Sequence, residues 1–282
     1  MKLLRYGPKG NEKPGLLDDS GRIRDLSNQV ADIDASTLAP ERLAALAKMN
    51  VESLPVVDGS PRMGVPVAGV GKIIAIGLNY SEHAKESGHD LPTEPIVFTK
   101  AVTALTGPND GIIMPKGSQK TDWEVELAVV IGRKAQYVEE SEALSYVAGY
   151  ATMNDVSERE FQLERGGQWV KGKSFDTSAP LGPWLVTTDE VPDPQTLNLW
   201  LEVNGESRQK GNTRTMIFTV AHIISYVSQF MTLLPGDVIT TGTPPGVGLG
   251  YRPPIFLKAG DVVRLGVEGL GEQRQEVNAW EA

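Results

Sequence analysis

Short apolar runs separated by turn residues dominate this chain, and few of them carry a helical period. Residues 2–6 and Gly15-Leu16-Leu17 read as strands, followed across the turn Asp18-Asp19-Ser20-Gly21 by a third at 22–26. Pro40 and Glu41 suit a first helical turn, and Leu43, Leu46 and Ala47 recur at helical spacing behind them. From 54 to 71, Pro55, Gly59, Pro61, Gly64, Pro66 and Gly69 interrupt any regular element. We place a boundary there, giving a small amino-terminal hairpin and helix domain at 1–68 and a main domain at 69–282. The run Lys72-Ile73-Ile74-Ala75-Ile76-Gly77 has the character of a buried strand. Further strands are predicted at 95–99, 123–132, 149–154, 182–187, 197–204, 237–241 and 261–268. Longer helices are predicted at 140–147 and 219–233, the second with Val220, Ile223, Ile224, Val227, Phe230 and Met231 on one stripe. Many strands and few helices, without regular βαβ alternation, predict a β-rich α+β fold.

Composition narrows the chemistry. The 282 residues include 27 Lys and Arg against 36 Asp and Glu, a net charge of −9 that argues against nucleic acid or an anionic membrane as the main partner. No cysteine is present, so thiolate nucleophiles and thiolate metal sites are excluded, and any metal takes oxygen or imidazole. Only His83, His89 and His222 supply imidazole. No secretory leader or membrane span is legible, so the expected location is the cytoplasm.

In Trp123-Glu124-Val125-Glu126-Leu127, alternation along a strand puts Glu124 and Glu126 on one face. A solvated face is the bland reading, but the strand runs on as Ala128-Val129-Val130-Ile131, which predicts burial on both sides. Two buried carboxylates need a cation between them. Asp155 follows a strand-like segment and precedes Ser157-Glu158-Arg159-Glu160, whose Ser and Glu match a capping box, so it is either a helix-start residue or a third ligand. Three carboxylates together would suit Mg²⁺ or Mn²⁺ better than zinc. Arg159 and Gln162 would share a helical face beside them. His83 and Glu86, three apart, form either a surface pair or an oriented general base. Gly242-Thr243-Pro244-Pro245-Gly246 lacks the Gly-Lys-Ser/Thr of a phosphate loop and reads as a rigid turn presenting Thr243.

Taken in order, Asn79-Tyr80 with His83 and Glu86, then Glu124 with Glu126-Leu127, Asn154-Asp155 with Arg159 and Gln162, Gly172-Lys173-Ser174-Phe175-Asp176-Thr177, and 236–248 resemble the fumarylacetoacetate hydrolase family. The resemblance spans about residue 70 onward. It implies a β-rich sandwich or roll, a homodimer, and Mg²⁺- or Mn²⁺-dependent action on small oxo acids. By motif position it makes Glu124, Glu126 and Asp155 the metal ligands, and His83, Glu86 and Lys173 the catalytic groups. Arg159, Gln162 and Thr243 fall on substrate-side positions. Members often carry F-x-K-P where this chain has Phe98-Thr99-Lys100-Ala101, and Lys100 is therefore left outside the expected site. The amino-terminal segment is similar to the bacterial subgroup that hydrolyses 2,4-diketo-3-deoxy sugar acids of L-rhamnonate or L-fuconate breakdown to pyruvate and lactate. Ureidoglycolate cleavage and oxaloacetate decarboxylation are the alternatives on the same scaffold.

Overall fold

In the computed structural model, residues 1–86 and 90–281 are described, the side chains of 83–85 excepted, so the readings of the His83 imidazole and of His89 lie outside the described residues. Strands β1 (Lys2–Tyr6), β2 (Lys13–Leu17) and β3 (Ile23–Asp25) form a meander, and helix α1 (Pro40–Leu46) follows with proline in its first turn. Strand β4 (Ile73–Gly77) leads into helix α2 (Ser81–Glu86), and β5 (Ile96–Lys100) returns antiparallel to β4. Strands β6 (Thr121–Asp122), β7 (Val125–Ile131), β8 (Val147–Asn154) and β9 (Ser157–Glu158) nest as two antiparallel pairs, β7 with β8 and β6 with β9. Next come helix α3 (Val170–Lys173), β10 (Ala179–Thr187), β11 (Asn198–Val203), β12 (Glu206–Asn212), helix α4 (Val220–Ser228), β13 (Val238–Thr240), β14 (Val262–Val267) and β15 (Gly271–Asn278).

A ten-stranded sheet runs β3-β2-β1-β10-β8-β7-β13-β4-β5, with Leu105–Thr106 added parallel to β10. A second, five-stranded sheet runs β12-β11-β14-β15 and ends on Ile112–Ile113, parallel to β15. The fold is mostly β, as predicted, and the amino-terminal meander extends the large sheet through antiparallel pairing of β1 with β10.

Alternation along β7 explains the layering. Val125, Leu127, Val129 and Ile131 point toward the second sheet and share a core with Leu201, Val203, Val263 and Leu265. Ala128 and Val130 point the other way, into a core with Leu3, Ile33 and Leu185. Every residue of β7 is buried, as its unbroken apolar run predicts. Glu124 and Glu126 fall on the Ala128 face, at the end of the strand where apolar packing stops.

Three predicted details differ. No capping box forms at Ser157: its hydroxyl donates to the Asp155 carbonyl at 2.9 Å, and the segment pairs with β6 before a π-helical turn, Glu160–Glu164. Strand pairing at 157–158 takes the place of a helix start there. The predicted helix at 140–147 is a 3₁₀ run, Glu140–Tyr146. Helix α4, capped by the Thr219 hydroxyl on the His222 amide, stops at Ser228, so Phe230 leaves the stripe and is 64% exposed. His222 stands on the exposed side, as predicted, 3.0 Å from the Glu140 carboxylate.

Candidate active site

Five segments converge at the open end of the Glu124 face. Carboxylate oxygens of Glu124, Glu126 and Asp155 come within 4.8 Å of one another, and all three residues are buried. Glu124 and Glu126 arrive by alternation before and along β7. Asp155 follows β8, which runs antiparallel beside β7, and its amide donates to the Glu124 carbonyl at 2.9 Å. The resemblance thus placed three carboxylates that the fold brings together.

Lys173, at the end of α3, lies between them, its Nζ 2.7 Å from Glu124 Oε2 and 2.7 Å from Asp155 Oδ2. Burial alone would lower this ammonium, but Asp155 and Glu124 outweigh it and hold Lys173 above its usual value. Arg159 forms an ion pair with Glu124, Nη2 to Oε1 2.7 Å, and donates from Nε to Asp122 Oδ2 at 2.8 Å and from Nη1 to Gln162 Oε1 at 3.0 Å. Glu126 accepts from the Thr240 hydroxyl and from the Gly242 amide at 2.7 Å. Burial, then Asp155 and Glu124, push its carboxyl well above the usual carboxylate range.

Lys100, left outside the expected site, stands against the carboxylate cluster. It is fully buried, with Nζ 2.6 Å from Asp155 Oδ1 and 3.3 Å from the Val156 carbonyl. Burial holds its ammonium below the ordinary lysine value, with Lys173 adding to that and Asp155 opposing it. Asp122 also went unremarked, although the same alternation that pairs Glu124 with Glu126 reaches back to it. Its carboxylate accepts from the Trp123, Gly248 and Leu249 amides and from Arg159. Four carboxylates, Asp122, Glu124, Glu126 and Asp155, thus face three cations, Lys100, Arg159 and Lys173.

Thr243 borders the cavity, but its hydroxyl is engaged within the protein: it donates to the Val125 carbonyl at 2.9 Å and accepts from Gln209 at 2.8 Å. Glu86 ends α2 and accepts from the Gly246 amide, 3.0 Å from Oε2. Gly250 packs so closely on Glu86 that a Cβ there would stand 2.4 Å from its Cδ, and Gly246 takes φ +103°, a conformation suited to glycine. Asn79 clamps the entry to α2 by donating to the Phe218 and Thr241 carbonyls and accepting from the Phe218 amide. The cleft above the carboxylates has a cavity volume of about 50 Å³.

The residues present fit a divalent cation. Three buried carboxylates with one raised carboxyl form a cluster whose mutual repulsion a cation would relieve, and the donors are all oxygen, as hard cations require. With such an ion the cluster would carry one net positive charge, the sign that attracts a substrate carboxylate.

Residues 72–278 match the family model described as fumarylacetoacetate (FAA) hydrolase C-terminal. A protein of Burkholderia orbicola (strain MC0-3) named "Putative hydrolase" is 64% identical over 276 residues, 98% of each chain. Among solved structures, the 5-carboxymethyl-2-hydroxymuconate delta-isomerase of Mycobacterium smegmatis is 33% identical with a TM-score of 0.77, over 100% of both chains. The maleylpyruvate hydrolase of Sphingobium sp. SYK-6, in complex with manganese(II) and pyruvate, is 30% identical with a TM-score of 0.82, again over 100% of both.

Proposed function

The chain belongs to the fumarylacetoacetate hydrolase family, and from that premise we propose that it is a divalent-metal-dependent hydrolase that cleaves the C3–C4 bond of a 2,4-dioxo acid. The observation that carries the reading is the buried Glu124, Glu126 and Asp155 triad bridged by Lys173. The manganese and pyruvate held by the Sphingobium relative support it. Mg²⁺ or Mn²⁺ held by the triad would supply Lewis-acid polarisation of the substrate's 2-oxo group and charge neutralisation. Arg159 and Gln162 border the cavity beside the triad and bind the acid end. His83, one helical turn before Glu86, takes a proton from the water that adds to C4, and Glu86 orients the imidazole. As the C3–C4 bond breaks, its electron pair passes to C3 of the departing pyruvate unit, C4 leaves as a carboxylic acid, and Lys173 offsets the charge that develops. C3 then gains a proton.

Product analysis tests the reading. Metal-stripped protein is offered 2,4-dioxo acids, a 2,4-diketo-3-deoxy sugar acid among them, together with oxaloacetate and ureidoglycolate, each with and without Mn²⁺. Mn²⁺-dependent release of pyruvate and the matching carboxylic acid is expected. Turnover of oxaloacetate or ureidoglycolate without any 2,4-dioxo acid cleavage would replace hydrolysis by decarboxylation or lyase chemistry.

A further inference from the structure

The cavity lining is of two kinds. Glu124, Glu126, Arg159, Gln162 and Lys173 supply its charged and amide groups, and the rest of the lining includes Leu78, Phe98, Leu163, Trp169, Val247 and Leu249. Resting on the dioxo-acid reading, we propose that this apolar part of the lining is a selectivity wall for the part of the substrate beyond C4, and that it takes a short alkyl or alkenyl tail in preference to a hydroxylated one.

Three features show a wall that is built, not residual. Leu78 sits at φ +52°, a conformation unfavourable for a residue with a side chain, in the turn that Asn79 fixes through the Phe218 and Thr241 backbone. Trp169 is seated on Gly77: a Cβ at residue 77 would lie 2.4 Å from the indole Cζ3, so only glycine leaves room for the ring at the end of β4. The Trp169 ring meets Phe98 edge to face, centroids 5.3 Å apart at 68°, and Phe98 in turn lies 5.3 Å below the Lys173 Nζ. Tail and chelating end are therefore set side by side by one rigid aromatic pair. Among the described residues, the polar side chains of the lining other than the Trp169 indole belong to the carboxylate cluster, and Thr243 there is engaged by Val125 and Gln209. A hydroxyl on the tail would leave water for side chains that offer its proton no acceptor, the Trp169 indole being a donor only. An apolar pocket rejects an added hydroxyl by at most roughly 10²-fold.

The matched pair 2,4-dioxohexanoate and 5-hydroxy-2,4-dioxohexanoate differs by that one hydroxyl and tests the inference. With Mn²⁺ present, kcat/KM is expected to favour the first by about 10- to 100-fold. Leu78→Gly supplies the control on folding, because glycine accepts φ +52° without strain. It should keep the parental melting temperature within a few degrees and the parental affinity for oxalate, a probe of the chelating end, while the preference for the unhydroxylated tail falls to within about threefold as the lost methyl groups leave the wall. Equal or reversed preference in the parent protein, or an unaltered preference in Leu78→Gly, overturns the wall while leaving hydrolysis intact. Cleavage of neither acid overturns the hydrolase reading, and the wall falls with it.

Discussion

Gly172 is the position at which backbone packing and chemistry are most tightly joined. It precedes Lys173 in α3, and a Cβ there would stand 2.3 Å from the Glu158 carbonyl oxygen and 2.6 Å from both the Gln162 backbone nitrogen and Cβ. Two of those atoms are backbone and cannot swing aside, so Gly172→Ala forces α3 and the 158–162 segment apart by about 1 Å to reach ordinary contact distance. Overpacking of this kind costs about 1–3 kcal/mol, and for a chain of this size that lowers the melting temperature by roughly 2–10 °C. The larger effect is on Lys173, whose two 2.7 Å contacts to Glu124 and Asp155 would be stretched together. A displacement of about 1 Å at a group near the reacting atoms costs roughly 10² in kcat. The assay is steady-state hydrolysis of 2,4-dioxohexanoate with saturating Mn²⁺, beside scanning fluorimetry, for Gly172→Ala, Lys173→Met and the double variant. If the glycine acts by placing the lysine, the double variant is no slower than Lys173→Met alone. Activity of Gly172→Ala within threefold of the parent, or full additivity in the double variant, would refute the reasoning.

Glu126→Gln should weaken Mn²⁺ binding tenfold or roughly more by calorimetry, because one ligand charge is lost while the acceptor for Gly242 remains. The Glu126 carboxyl is raised in the folded protein, so the stability it contributes in the metal-free state is present at low pH and lost as pH rises from the ordinary carboxylate range toward its elevated value. Melting in chelator from pH 5 to 8 should show the glutamine variant gaining on the parent as pH increases, and a constant gap would contradict the assignment. His83→Ala should lower C–C hydrolysis by about 10² or more while Mn²⁺ still binds. Any oxaloacetate decarboxylation should suffer far less, and equal losses in both reactions would remove His83 from water activation. Gln275→Leu leaves the Pro108 carbonyl and the Asn154 amide without their partner in a buried site. Denaturant titration should show a loss of roughly 2–4 kcal/mol, and an unchanged midpoint would deny the amide its role.

Period and motif carried the sequence reading a long way. Alternation alone placed Glu124 and Glu126 on one face of a buried strand. The apolar runs located β4, β7, β11, β13 and β14, and ordered motifs pointed to Asp155 and Lys173 across gaps that no local pattern bridges. What the sequence could not show was how polar residues would be spent inside the fold. Strands β12 and β15 escaped notice because their inward positions are glutamines: Gln209, Gln273 and Gln275 are buried, yet read one at a time they look solvated. Each is buried because an amide can both donate and accept. Gln209 accepts from the Val125 amide and donates to Thr243 and the Pro244 carbonyl, while Gln273 donates to the Thr152 and Gly182 carbonyls. Ser157 and Glu160 carried the letters of a helix cap, but pairing with β6 supplied the backbone partners that a cap would have offered. Lys100 looked dispensable once its proline was missing, although its place follows from where β5 ends against Asp155. These outcomes turn on which backbone groups and charges tertiary packing leaves in need of a partner, and that need exists only after segments distant in the chain have met.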